Sequence, residues 1–128
     1  MENNKQQWKK RVDIFRYIYT CLSNNYSYEQ IIDNMNDKMS KEGHDAIKYF
    51  GQNSDNIVEQ IKDLIDKTWT WDRIKTIDKA IIIEAICEYK TNQIDKRVVI
   101  DQAIINAKNY SDKQSYKFIN ATLDKILK

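Results

Sequence analysis

The sequence IDKAIIIEAICEYK, residues 77–90, decides the fold that we expect for this chain. Apolar residues cover almost the whole circumference of the segment when it is wound as a helix, and a helix of that kind is buried on all sides. β-Branched runs also suit strands. However, the segment is long, it ends in charged residues, and the chain offers no partner strand. We therefore predict a central, buried helix over about Thr76–Lys90.

Amphipathic segments on both sides of this helix predict further helices that pack against it. Apolar residues recur at intervals of three or four over about Lys5–Leu22 and Lys96–Asn109, and again after Gln114. Ser27–Gln30 and Ser111–Gln114 have the sequence of a capping box, which begins a helix. With no proline and two glycines, the chain has few residues that break helices. We predict an all-α fold, a compact single domain of about seven helices over residues 1–128.

In the middle of the chain, the sequence predicts two of these helices and the connections around them. Residues 36–43 are polar and predict a loop. A short helix should follow and stop at Gly51, because glycine often ends helices. Asn53 or Ser54 then has the side chain to cap a further helix. Residues 69–73, WTWDR, predict a turn or a short helical segment.

Composition excludes several classes of protein. The only histidine is His44, and the chain contains no Cys-x-x-Cys motif and no glycine-rich phosphate loop. We therefore expect no metal site, no cofactor and no catalytic centre. Cys21 and Cys87 lie in apolar helical stretches, which predicts buried free thiols. The N-terminus has no apolar secretory core, and the longest apolar run, residues 80–83, is too short to span a bilayer, so we expect a cytoplasmic protein without membrane contact.

The placement of charge is more informative than its total, since the formal net charge is only +2. Five cations lie along the N-terminal arm and the first helix: Lys5, Lys9, Lys10, Arg11 and Arg16. Such a stripe has a spacing that can follow an RNA backbone. Lys113 and Lys117 open the last helix, and Tyr19 and Tyr110 are aromatic side chains of the kind that stack on unpaired bases. A solvated basic face with ordinary core tyrosines explains the same residues, so both interpretations remain.

Four segments carry a resemblance to a known family. Residues 11–19, RVDIFRYIY, look like a basic first-helix motif that ends in tyrosine, and residues 69–78, WTWDRIKTID, are similar to the stretch W-s-l-d-R-l-x-x-v-D. Residues 98–108, VVIDQAIINAK, resemble V-V-I-N-E-A-V-E-L-A-K, and residues 115–125, SYKFINATLDK, resemble S-x-K-F-V-N-G-V-L-D-K. These are motifs of the NusB family of bacterial transcription antitermination, and they occur here in the family's order.

The resemblance implies a fold, a function and a set of partners. NusB proteins have an all-helical fold of two packed bundles. They bind the boxA element of nascent ribosomal RNA together with NusE, a small-subunit ribosomal protein, and join other Nus factors on elongating RNA polymerase. The resemblance thus implies a non-enzymatic antitermination factor that binds single-stranded boxA-like RNA. Some members of the family self-associate through the RNA-facing side, which leaves a homodimer open.

Individual residues follow from the matched motifs. The resemblance implies that the RNA-binding residues are Lys9, Lys10, Arg11, Tyr19, Tyr110 and Lys117. Asp78 matches an acidic position on the partner-binding side, and we expect it to face a basic surface of NusE. The chain departs from the family at Gln114, where an acid is common, at Asp95, which replaces a proline, and at Ala121, which replaces a glycine. Residues 29–52 show no clear match and receive no role.

Two other functions fit the same sequence. One is a helical adaptor that binds protein and not RNA. The other is an RNA-binding subunit related to the front domain of certain ribosomal RNA cytosine methyltransferases, although no methyl-donor-binding domain is predicted within the 128 residues. Loss of RNA binding with retained NusE binding would identify the adaptor.

Overall fold

A computed structural model describes residues 4–65 and 70–127, and within those ranges it contains helices and loops but no strand. The elements are α1 (Asn4–Ser23), α2 (Tyr28–Asp33), α3 (Lys41–Leu64), a 3₁₀ turn (Trp71–Arg73), α4 (Thr76–Asn92), α5 (Lys96–Tyr110) and α6 (Ser115–Ile126). The predicted all-α class is confirmed. In the described residues six α-helices and one 3₁₀ turn replace the seven helices expected, and Trp69 of the predicted turn lies outside the described ranges.

The predicted central helix is confirmed as α4. Every residue from Ala80 to Glu88 is buried, because α4 packs against α1, α3, α5 and α6 at once. The helix ends where Gln93 adopts a left-handed backbone conformation (φ 51°), which stops further α-helical winding. In the next loop the Asp95 side chain accepts a hydrogen bond from the backbone N–H of Arg97 at 2.8 Å, so aspartate caps α5.

Residues Ser27–Gln30 form the capping box that the sequence predicts. The Ser27 hydroxyl accepts a hydrogen bond from the backbone N–H of Gln30, and the Gln30 side chain accepts one from the backbone N–H of Ser27. Both bonds satisfy donors that the first turn of α2 would otherwise leave unpaired. The cap therefore fixes the start of α2, which packs on α3.

The predicted break at Gly51 is wrong, because α3 runs without interruption from Lys41 to Leu64. Gly51 instead allows close approach: a Cβ there would lie 3.0 Å from Cδ1 of the Tyr28 ring. Asn53 does not cap a helix either, since its side-chain amide donates to the carbonyl of Tyr49 one turn earlier, at 3.0 Å. The actual cap of α3 is Ser40, which lies inside the region predicted as a loop.

The second predicted capping box, Ser111–Gln114, is also wrong. Gln114 is itself the N-cap of α6, and it makes no side-chain capping bond. Ser111 is not available for capping, because its hydroxyl donates to the carboxylate of Asp78 on α4. Ser111 therefore makes a tertiary contact with α4 and does not cap the helix start that the local sequence pattern predicted.

Both cysteines are buried free thiols, as predicted. Burial raises the pKa of Cys21 to about 11 and raises the pKa of Cys87 well above its ordinary value. The two thiols therefore stay protonated near neutral pH, and they pack as small apolar side chains. Within the ranges described, no helix is both long and apolar enough to cross a membrane.

Candidate nucleic-acid interface

The outer face of α1, which we define as Lys9, Arg16 and Tyr19, is open to solvent. Lys9 and Arg16 are seven residues apart, which is about two helical turns, so they lie on the same side of the helix. Tyr19 follows Arg16 by three residues, and 41% of its surface is exposed. Two cations and an exposed aromatic ring therefore line one side of a single rigid helix. The side chain of Lys5, part of the predicted stripe, lies outside the described residues.

Tyr110 at the end of α5 packs against the same helix. Its ring stacks on the Trp8 indole with 6.4 Å between centroids, and it meets the edge of Phe15 at 5.3 Å. The Arg16 guanidinium lies 5.5 Å from the centre of the Tyr110 ring. An arginine held near an aromatic ring is a platform on which an unpaired base can stack, and the guanidinium can reach a phosphate. The structure thus brings Tyr110 next to the outer face of α1.

Lys10 lies between the outer face and α3. Its ammonium is 3.8 Å from the Glu42 carboxylate, at the edge of ion-pair range. Both side chains are partly exposed, so the pair contributes little to stability. The charge of Lys10 is nevertheless partly balanced by Glu42.

Arg11 departs from the exposed position expected for an RNA contact. Only 8% of the residue is exposed, and its Nε donates to Glu88 of α4 at 2.8 Å. The reason lies in the helix spacing, since Arg11 follows Trp8 by three residues and precedes Phe15 by four, on the side that faces the core. We call Trp8, Arg11 and Phe15 the inner face of α1. This spacing is visible in the sequence, but the prediction that Arg11 contacts RNA followed from its positive charge.

Lys117 lies in the first turn of α6, on the rim of a cavity of about 560 Å³. Apolar side chains, among them Ile74 and Phe118, line its wall. Four cations border the cavity: Arg73, Lys75, Lys117 and Lys125. Lys75 is paired with Asp112, so part of this positive charge is already balanced. The cavity has an apolar interior and a rim of charged groups, most of which are basic.

Asp78 borders the same cavity, but it is not the exposed acid that we expected for a partner contact. Only 5% of the residue is exposed. Its carboxylate accepts a hydrogen bond from the Ser111 hydroxyl at 2.6 Å and one from the Ser115 hydroxyl at 2.9 Å. Asp78 therefore joins the start of α4 to the loop before α6. The two serine contacts could not be found from the sequence, because the residues lie more than thirty positions from Asp78.

Three kinds of comparison relate the chain to known proteins. The model of the NusB family matches residues 9–128. The transcription antitermination protein NusB of Borreliella afzelii is 37% identical over 129 residues, covering 92% of this chain and 94% of that protein. The protein of the same name from Thermodesulfovibrio yellowstonii is 34% identical, covering 94% of this chain and 90% of its own length.

A solved structure gives the same answer for the fold. T. maritima NusB matches with a TM-score of 0.80 over 99% of this chain and 92% of that chain. At 22% sequence identity this likeness shows the fold alone. Together with the match of the family model and the sequence relatives, it shows that the chain belongs to the NusB family of transcription antitermination proteins.

Proposed function

We propose that this protein is a cytoplasmic antitermination factor that binds single-stranded boxA-like RNA together with the ribosomal protein NusE. This protein and NusE would then join other Nus factors on the elongating RNA polymerase. The names of the sequence relatives support the antitermination role. The proposal for RNA rests on one observation in this chain, the exposed outer face of α1 with the Arg16–Tyr110 pair beside it.

Each residue of this surface has a role that its chemistry supports. Lys9 and Arg16 offer cations to successive phosphates, and counterion release then supplies much of the affinity. Tyr19 offers a ring on which an unpaired base stacks, and at Tyr110 the Arg16 guanidinium that covers the ring offers the stacking surface. Arg11 acts indirectly in this proposal: its ion pair with Glu88 holds α1 on α4 and so keeps the outer face in position. Arg16, which the resemblance did not single out, replaces it as the arginine that contacts RNA.

Lys117 extends the proposed RNA surface to the start of α6. The N-terminus of a helix offers backbone N–H groups to a phosphate, and an exposed lysine in the first turn adds a positive charge. Lys10 remains a weaker contact because Glu42 lies 3.8 Å from its ammonium.

NusE binding is proposed for the cavity bordered by Asp78 and Lys117. The cavity has apolar walls and charged rim groups of both signs, which suits a protein surface with a mixed character. In this proposal Asp78 shapes the site through its serine contacts more than it touches NusE. RNA and NusE would each strengthen the binding of the other by the same factor, since coupling between two binding sites is reciprocal.

Fluorescence anisotropy of a short boxA-like RNA tests the proposal. The protein is titrated with and without NusE from the same source, at two salt concentrations, and we expect tighter, salt-dependent binding when NusE is present. Arg16→Ala should weaken binding. Arg97→Ala is the matched control, because this exposed arginine lies in the first turn of α5, about 20 Å along the helix from Tyr110.

Two outcomes would contradict the proposal. Absence of RNA binding in both conditions, with the protein folded and NusE bound, would leave a protein adaptor. An equal loss of binding in Arg16→Ala and Arg97→Ala would mean that the RNA follows general charge and not the outer face of α1. Sedimentation of the free protein over a range of concentrations decides separately whether a homodimer competes for this face.

A further inference from the structure

Two carboxylates lie inside the protein on one side of α4, next to a single cation. Glu84 is 3% exposed and Glu88 is 4% exposed. They stand four residues apart, so their side chains are neighbours on the helix surface. Arg11 of α1 donates from Nε to Oε1 of Glu88 at 2.8 Å. The cluster therefore holds two acids and one base away from water.

The surrounding helices bring no second cation to Glu84 among the described residues. Besides Glu88, α4 brings the Cys87 thiol close to Glu84, and this thiol in turn interacts with Tyr49 of α3. The buried residues of α5 and α6 are apolar or uncharged. One of them, Asn106 of α5, is 2% exposed, and its side-chain oxygen has no hydrogen-bond partner. Oε2 of Glu84 also has no hydrogen-bond partner.

This imbalance decides the protonation of the cluster. A buried carboxylate without a counter-charge is costly, and two like charges so close together do not both ionise readily. Burial raises the pKa of Glu84 well above its usual value, the neighbouring Glu88 raises it further, and Arg11 opposes both effects. A neutral Glu84 can donate a hydrogen bond, which an ionised one cannot. If one proton is bound to the two acids, they carry a single negative charge together, and that charge balances Arg11.

We propose that Glu84 and Glu88 share one proton in the folded protein, and that loss of this proton in alkaline solution weakens the packing of α1 on α4. The unfolded chain has no such cluster, and its glutamate ionises near pH 4.3. The stabilisation is therefore complete below that pH and is lost as the pH rises through the higher pKa of the folded state. The inference does not depend on the RNA function, because the same contacts hold α1 whatever it binds.

Urea unfolding from about pH 5 to about pH 9 tests the proposal with the variant Glu84→Gln. Glutamine has the shape of the neutral acid and can donate a hydrogen bond, but it carries no titratable proton. We expect the folding equilibrium constant of the unsubstituted protein, relative to the variant, to fall by up to about tenfold per pH unit. Glu29→Gln, at an exposed glutamate of α2, is the matched control and should follow the unsubstituted protein at every pH.

Parallel pH curves for the unsubstituted protein and Glu84→Gln would overturn the proposal. A second measurement covers the case in which this variant does not fold. The side-chain carboxyl carbons of Glu84 and Glu88 in the unsubstituted protein report ionisation directly by carbon-13 NMR. A neutral acid within the pair at neutral pH supports the proposal, whereas two fully ionised carboxylates at that pH would contradict it.

Discussion

Arg11 and Arg16 stand five residues apart on α1, and they meet opposite surroundings. Arg11 is buried against Glu88, whereas Arg16 is exposed beside the Tyr110 ring. One arginine belongs to the inner face of the helix and holds it to the core. The other belongs to the outer face and is free to meet a ligand phosphate while it covers an aromatic ring. Helix position, and not residue type or local charge density, separates a cation that holds the core from one that is open to a ligand.

The largest expected effect comes from breaking the inner face. Arg11→Ala should lower the free energy of unfolding by about 3–5 kcal/mol, because it leaves the Glu88 carboxylate buried without its partner. Arg16→Ala should change it by about 1 kcal/mol or less, since only an exposed cation–aromatic contact is lost. Urea unfolding of both variants measures the difference.

A double variant sharpens this result. Replacing Arg11 and Glu88 together by leucine removes both charges, and it should recover much of the stability that Arg11→Ala loses. If the double variant were as unstable as the single one, packing around Arg11 would matter more than its charge.

The comparison of buried and exposed polar groups extends to the loop before α6. Ser111→Ala removes a donor from the buried Asp78 carboxylate and should cost about 1–3 kcal/mol of unfolding free energy. Ser23→Ala, at an exposed serine at the end of α1, is the control and should change stability by about 0.5 kcal/mol or less. Thermal unfolding followed by circular dichroism can compare the two, and equal midpoints would mean that Ser115 alone holds Asp78.

On the outer face, the expected loss is in RNA affinity and not in stability. Tyr19→Ala should weaken binding of a boxA-like RNA by about 1–3 kcal/mol, because it removes the tyrosine ring on which a base would stack. Tyr19→Phe keeps the ring and should bind nearly as well. Anisotropy titrations would reveal the opposite case, in which phenylalanine also fails, and the hydroxyl would then be the essential group.

The smallest expected effect concerns Lys9. Lys9→Ala should reduce the slope of log affinity against log salt by about 0.7, which corresponds to one lost phosphate contact on a single strand. The unfolding midpoint should stay where it is, since Lys9 is exposed on α1. Titrations at several salt concentrations measure the slope, and an unchanged value would remove Lys9 from the proposed interface.

Sequence patterns predicted the parts of the fold that depend on local or periodic information. The buried run in α4 and the capping box at Ser27 are examples, because apolar periodicity and a cap need only neighbouring residues. The continuity of α3 was missed, since Gly51 serves the approach of Tyr28 from another helix. Ser111 was misassigned for the same reason: its partner, Asp78, is distant in sequence.

The candidate site divides in the same way. The cations and tyrosines of α1 were visible in the sequence, and so was the spacing that puts Arg11 among core residues. The neighbours of Tyr110 were not visible, because α5 meets α1 only in the folded chain. The burial of Asp78 was likewise hidden, since its two serine partners come from the far end of the sequence.

The central position of α4 bears on how the chain folds during its synthesis. α1 and α3 both pack on α4, so the apolar surface that each of them turns to α4 stays uncovered until the segment after Thr76 has left the ribosome. α5 and α6 also pack on α4, and they emerge after it. A nascent chain that stops before α4 therefore exposes apolar helix faces, which makes it a target for chaperones and proteases. The order of synthesis thus makes the emergence of α4 the condition under which the earlier and the later helices can bury their apolar faces.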